Sequence, residues 1–261
     1  MDAMNEMGAV HLTIEAEVAV LKLDNPSKLN ALSIEMLAQM DAHLTAIRTN
    51  EDVRAVIVCA EGGRAFCVGA DIHAWSRLSP RAFARDWVHE GHRIFDKLAR
   101  LPQPTIAVVE GYTFGGGLEL AAACDMRILG PKAQFALPEA SIGVVPGWSG
   151  TQRLARLLPE PLVREMALFG RRISAERAVH CGFASALDTE PMALARRYAA
   201  GTCKNSPFAT DMIKSMINAA VGEDAPVAIE ALASAAVAAS HDLAEGVAAF
   251  SEKRTPEFKG N

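Results

Sequence analysis

The chain has 261 residues, half of them apolar and 22% charged, which supports a substantial core and argues against disorder. A formal charge of −5 gives no electrostatic case for binding nucleic acid or an anionic membrane surface. The five cysteines (Cys59, Cys67, Cys124, Cys181 and Cys203) are odd in number, widely spaced and free of any Cys-x-x-Cys pair, so reduced and mostly buried thiols are expected rather than a disulfide framework or a zinc site.

The opening Met-Asp-Ala-Met-Asn-Glu-Met-Gly is acidic and lacks the basic-then-apolar pattern of a signal peptide. No uninterrupted apolar run approaches the length of a membrane span. The expectation is a soluble, cytoplasmic protein with neither a nucleic-acid nor a membrane partner. Val10 to Ile14 and Val18 to Leu23 read as a hairpin around an acidic turn, broken by Asn25-Pro26-Ser27. Ser33 then suits the N-cap of a helix whose apolar positions Met36, Leu37, Met40, Leu44 and Ile47 recur at helical spacing. Val53 to Cys59 reads as a strand, and the arginine-rich stretch through Arg85 as a loop. Trp87 to Leu98 reads as a helix, and Thr105 to Val109 as a buried strand.

Directly after that strand comes Gly111-Tyr-Thr-Phe-Gly115-Gly116-Gly117-Leu-Glu119. Its glycines let the backbone turn sharply into a helix start, where unpaired N–H groups favour negative charge. The run matches neither a phosphate-binding Gly-Lys-Ser/Thr loop nor a Gly-x-Gly-x-x-Gly fingerprint. On spacing alone Glu119 has two readings, a first-turn acid stabilising the helix or a reacting carboxylate. A lone carboxylate among Leu118 to Ala123 is costly unless it is paired, protonated or used. Short strands follow at Met126 to Leu129 and Gln134 to Ala136, then Glu139 after Pro138, which read alone is an exposed turn residue. His89-Glu-Gly-His92 lacks the His-Glu-x-x-His zinc spacing and reads as a solvated helix face. Ser149 in Pro146-Gly-Trp-Ser-Gly150 does not sit in a Gly-x-Ser-x-Gly elbow. From Thr151 the chain is mostly helical, so the whole is α/β with βαβ units.

Gly-Gly-Gly-Leu-Glu-Leu-Ala followed by Phe135-Ala-Leu-Pro-Glu139, twenty residues from Glu to Glu, resembles the crotonase (enoyl-CoA hydratase/isomerase) superfamily. Lys28-Leu-Asn-Ala-Leu32, Ala65-Phe-Cys-Val-Gly-Ala-Asp-Ile72, Pro146-Gly-Trp-Ser-Gly-Thr-Gln-Arg-Leu154, Arg172-Ile-Ser-Ala-Glu-Arg-Ala178 and Phe250-Ser-Glu-Lys-Arg254 extend the resemblance, in order, over nearly the whole chain. It implies a crotonase-like spiral of ββα units over residues 1–195 and a C-terminal helical oligomerisation region over 196–261, in a homotrimer or a hexamer built as a dimer of trimers. It further implies hydration of a 2-enoyl-CoA to a 3-hydroxyacyl-CoA, as in fatty-acid β-oxidation. Glu119 and Glu139 would be the catalytic pair, and the N–H groups of Ala70 and Gly116 an oxyanion hole. Lys28, Val68, Asp71, Ile72 and Gly147 would contact substrate or CoA, and Phe250 and Lys253 a neighbouring subunit's CoA. No cofactor or metal is implied, because CoA arrives as part of the substrate. A related dehydratase acting on a carnitinyl-CoA-like substrate, an isomerase, and a non-catalytic CoA-ester-binding protein are the alternatives. Two departures concern the acyl group: Trp148 stands where typical hydratases carry a small residue, and His73 and Trp75 where a lysine and smaller groups are common.

Overall fold

The computed structural model describes residues 8–72, 78–222 and 241–261. Strands β1 (Ala9–Glu15) and β2 (Val18–Asp24) form the expected antiparallel hairpin, with Ala9 opposite Asp24. Helix α1 (Ile34–Thr49) starts where the Ser33 Oγ accepts the Met36 N–H, and the five positions read from its spacing are all buried. Strand β3 (Ala55–Ala60) leads to a short strand, β4 (Ala65–Cys67).

The next segment departs from the expectation of a loop through Arg85. From Pro80 the chain is helical, passing through a π-helical turn, Phe83–Val88, into α2 (His89–Ala99). Burial of Trp87 supplies the reason, since it anchors one face while Arg81 stays exposed. Residues 73–77, including His73 and Trp75, lie outside the described residues.

Then follow β5 (Thr105–Val109), β6 (Tyr112–Phe114), α3 (Gly116–Ala123), β7 (Met126–Leu129), β8 (Gln134–Ala136) and a 3-10 turn at Glu139–Ile142. After α4 (Gly150–Leu157) and α5 (Glu160–Phe169) come β9 (Ile173–Ser174), α6 (Ala175–His180), β10 (Ala186–Leu187) and α7 (Pro191–Thr202). The last helices are α8 (Pro207–Ala220) and α9 (His241–Glu252).

The larger sheet runs β1-β2-β3-β5-β7-β10 and is parallel after the first hairpin. The smaller runs β4-β6-β8-β9. Each turn of the chain lays one strand in each sheet and then a helix: β3-β4-α2, β5-β6-α3, β7-β8-α4. This is a spiral of ββα units. Alternation along the strands divides the core, because successive side chains point to opposite faces. Val56 and Val58 join the main core with α1, α2 and α3, whereas Ile57 and Cys59 join Ile106, Val108 and Leu194, Ala195 and Ala199 of α7.

The chain forms two compact units, residues 1–207 and 208–261. A division at 195/196 falls within α7, whose Ala195 and Ala199 pack on the sheet, so that helix belongs to the first unit. In the second unit, the Arg254 guanidinium binds the Glu245 carboxylate after α9. Cys59, Cys67 and Cys124 are buried, Cys181 and Cys203 are half-buried, and none of the five is in a disulfide. Among the described residues no helix is long and apolar enough to cross a membrane, and no group of three or more His, Cys, Asp or Glu could hold a metal ion.

Candidate active site

All three ββα turns of the spiral contribute to the site. Gly115, at φ 50, lets the chain leave β6 and enter α3, and all eight residues of that helix are buried. Glu119 is therefore carried inside, at 2% exposure. Its Oε1 accepts two backbone N–H groups, from Trp148 at 2.8 Å and Gly150 at 2.7 Å. Burial pushes its carboxyl up to about 7; those two N–H groups and Arg153 pull the other way, and the charge of Glu139 adds to the rise.

Glu139 opens the 3-10 turn after Pro138 and is also buried, at 9% exposure. Burial raises its pKa as well. Its Oε2 has no hydrogen-bond partner among the described residues, and its Oε1 lies so close to Gly115 that a Cβ there would approach within 2.9 Å. Both carboxylates line one cavity of about 250 Å³.

Val68, Ala70, Ile72, Gly116, Gly147 and Trp148 line the same cavity. Ala70 forms a parallel bridge with Leu32, in which Leu32 bonds the Gly69 carbonyl and the Asp71 N–H. The Ala70 N–H consequently faces the other way. Gly69, at φ 101, brings this segment against α3, because a Cβ on it would lie 3.2 Å from the Gly116 nitrogen. Neither the Ala70 nor the Gly116 N–H donates to a backbone acceptor among the described residues.

Lys28 and Asp71 stand apart from the cavity lining and pair with each other, Nζ to Oδ2 at 3.0 Å. Phe250 lies in α9, its side chain outside the described residues, and Lys253 is exposed in the same C-terminal unit. Phe83, Trp87 and Val88 from the π-helical turn also line the cavity, as do Ile142, Val144 and Val145. The sequence reading missed the first three because Arg81 and Arg85 dominate that stretch. The four-residue spacing of Phe83 and Trp87 was the available signal. His92, read as solvated, is tied down: its Nδ1 lies 2.9 Å from the buried Ser149 Oγ.

Trp148 is 3% exposed. Its indole meets Trp87 and Phe95 at centroid distances of 5.2 and 5.1 Å, and its Nε1–H points to the Trp87 carbonyl at 3.4 Å. The ring both walls the cavity and packs between α2 and α3.

Residues 13–261 match the family model for enoyl-CoA hydratase/isomerase. The putative enoyl-CoA hydratase/isomerase YngF of Bacillus subtilis is 36% identical over 97% of this chain and 98% of its own length. The carnitinyl-CoA dehydratase of Proteus mirabilis is 35% identical over the same shares. A crystal structure of enoyl-CoA hydratase from Bacillus anthracis superposes with a TM-score of 0.78 at 32% identity, covering 97% of this chain and 99% of that one. The chain thus belongs to the enoyl-CoA hydratase/isomerase family of the crotonase superfamily.

Proposed function

We propose that the protein is an enoyl-CoA hydratase acting in the cytoplasm, adding water reversibly across the C2–C3 double bond of a 2-enoyl-CoA. The observation that carries this reading is the convergence of two buried carboxylates with the Ala70 and Gly116 segments on one small cavity. The thioester oxygen sits between the Ala70 and Gly116 N–H groups, which stabilise the enolate charge as it forms. One such donor is typically worth about 2.7–4 kcal/mol in a transition state. Water attacks C3 while Glu119 takes its proton, and Glu139 delivers a proton to C2, so that H and OH are added overall. A Glu119 carboxyl near 7 is partly ionised at neutral pH and can accept that proton, and burial shifts Glu139 in the direction that favours its protonated form. The charge of Glu139 acts on Glu119, so the titration of Glu119 depends on the state of Glu139.

Lys28 and Asp71 lie at the CoA side of the Val68–Ile72 segment, and Phe250 and Lys253 complete a neighbouring subunit's CoA site. Exposed Phe208, Ile213, Met216 and Ile217 on α8 support assembly into a trimer or a dimer of trimers. The likeness to a carnitinyl-CoA dehydratase, together with Trp148 at the cavity wall, favours as a second reading the dehydration of a more specialised hydroxyacyl-CoA.

The test is turnover across a panel of enoyl-CoAs of graded chain length, branching and polarity, following loss of the conjugated thioester and formation of the 3-hydroxyacyl product. Hydration of at least one simple enoyl-CoA is expected. Binding of CoA esters with no turnover on any panel member would favour a binding protein instead.

A further inference from the structure

The two N–H groups on Glu119 come from either side of one residue, Ser149, and that residue has an unusual conformation for its type. Its φ is 77 and its ψ 15, the left-handed region that costs any side chain other than glycine, and it is 7% exposed. Something must hold it there. Its Oγ lies 2.9 Å from His92 Nδ1, and His92 Nε2 lies 3.4 Å from Asp96 Oδ2. Asp96 also pairs with the buried Arg153, whose backbone N–H donates to the Ser149 carbonyl at 2.9 Å. The contacts therefore close a ring: Ser149 hydroxyl, His92, Asp96, Arg153 and back to the Ser149 carbonyl.

We propose that Ser149 and His92 are positioning residues, which with the Asp96–Arg153 pair fix the Trp148–Gly150 loop so that its two N–H groups aim at Glu119. This inference rests on the reading of Glu119 as the base toward water. Ser149 itself does not line the cavity, so its hydroxyl has no access to a thioester carbon, and its likeness to a Ser-His-Asp nucleophile is geometric only. Holding the loop matters because Glu119 Oε1 takes both of its hydrogen bonds from it. A loop that rocks moves the carboxylate with it, and a full ångström of misplacement can cost about a hundredfold in rate.

The experiment compares Ser149→Gly, His92→Leu, the double variant and His92→Gln with the wild type on crotonyl-CoA, reading kcat, KM and the pH profile separately. Ser149→Gly relieves the backbone and removes only the small hydroxymethyl side chain, so it tests the bond without endangering the fold. Each single loss is expected to lower kcat by about tenfold while KM stays within about twofold, and the double to be no worse than the poorer single. The acid limb of kcat should move upward, since a carboxylate that loses fixed N–H donors is harder to ionise. The charged groups facing Glu119 are Glu139 and Arg153, and those facing His92 are Asp96 and, through it, Arg153 and Arg100, all of them unchanged in these variants. His92→Gln, which can still hydrogen-bond Ser149, should recover part of the rate. Singles within twofold of wild-type kcat, an unmoved acid limb, or fully additive losses would each overturn the proposal. Failure of wild-type turnover would instead remove the hydratase reading beneath it.

Discussion

Glu119 and Glu139 face the same cavity but are held in opposite ways. Glu119 rises from the first turn of a helix buried along its whole length, and its Oε1 is clamped by two N–H groups of one loop. Glu139 sits in a short turn whose next residues, Ala140, Ser141 and Ile142, are exposed, and its buried Oε2 has no partner among the described residues. The first carboxylate has essentially one place to be, whereas the second can rotate without giving up a hydrogen bond to a neighbour. A clamped group suits work on a water whose position must repeat from one turnover to the next. An adjustable one suits protonation of a carbon whose place shifts with the acyl group.

The largest effects should come from the carboxylates themselves. Glu119→Gln and Glu139→Gln are each expected to lower kcat by about 10²–10⁴-fold, because glutamine keeps volume and hydrogen bonding but cannot take and return the proton. The aspartate variants sharpen the contrast. Glu119→Asp withdraws the oxygen from both N–H groups and should cost nearly as much as Gln, while Glu139→Asp, which breaks no bond to a neighbouring residue, should keep a measurable fraction. Steady-state kinetics of the four variants check this. Near-wild-type turnover in either Gln variant sinks the two-carboxylate mechanism, and equal losses in both Asp variants erase the distinction between clamped and adjustable.

Next in size is the backbone between them. A Cβ on Gly116 would lie 2.8 Å from Trp148 Cζ3 and 2.9 Å from Cε3, so any side chain displaces the indole or the first turn of α3. Gly116→Val is expected to reduce kcat by about 10²–10³-fold, the scale of losing one oxyanion donor. Gly63→Ala, in a surface turn with nothing within 4 Å of the added carbon, is the control and should leave kcat unchanged. A Gly116→Val enzyme with its rate intact would mean that this N–H does not serve the thioester oxygen.

Much of this arrangement is legible from the sequence, and the rest fails for definable reasons. Ser33, Met36, Leu37, Met40, Leu44 and Ile47 fix α1 because capping and 3.6-residue spacing act within a single helix. Strand β5 is legible because it is buried on both faces. Strands β4 and β6 are three residues each, too short for any period to show, and they exist because the smaller sheet pairs them across the spiral. The glutamates are found by motif, yet the clamp on Glu119 comes from backbone N–H groups at Trp148 and Gly150, which no side-chain pattern records. His92 reads as solvated because its side-chain partner, Ser149, lies 57 residues further along the chain.

Burial of Glu119 has a consequence for stability that separates it from catalysis. Its folded-state carboxyl is raised to about 7 from an ordinary 4.5. Below the ordinary value both folded and unfolded chains carry the proton, and the contribution is complete. Between the two values the unfolded chain ionises while the folded one does not, so stability falls, and above about 7 the contribution is gone. The expected loss is on the order of 3 kcal/mol across that interval. Glu119→Gln should remove this part of the pH dependence and be more stable than wild type at pH 8, as read from denaturant midpoints at pH 5 and pH 8. Parallel pH profiles for the two proteins would show that the carboxylate is not held in the dry state assigned to it.

The smallest effect on catalysis, and the one that bears on the acyl group, concerns Trp148. Its ring lies between two glycines: a Cβ on Gly91 of α2 would come within 2.2 Å of its Nε1, and one on Gly116 of α3 within 2.8 Å of its Cζ3. The space it occupies is space that further methylenes of a long enoyl chain would need, and overpacking of that kind costs about 1–3 kcal/mol. Trp148→Ala keeps the backbone N–H that binds Glu119 but also removes the contacts with Trp87 and Phe95. A stability loss of about 3–5 kcal/mol is therefore expected alongside any change in selectivity. Trp148→Phe retains an aromatic ring and opens only part of the space, so it separates the two consequences. If the indole sets the depth of the pocket, kcat/KM on a long enoyl-CoA should rise relative to a short one in both variants, more in Ala than in Phe. If the ring serves packing alone, both chain lengths should lose rate together, in proportion to the loss of stability.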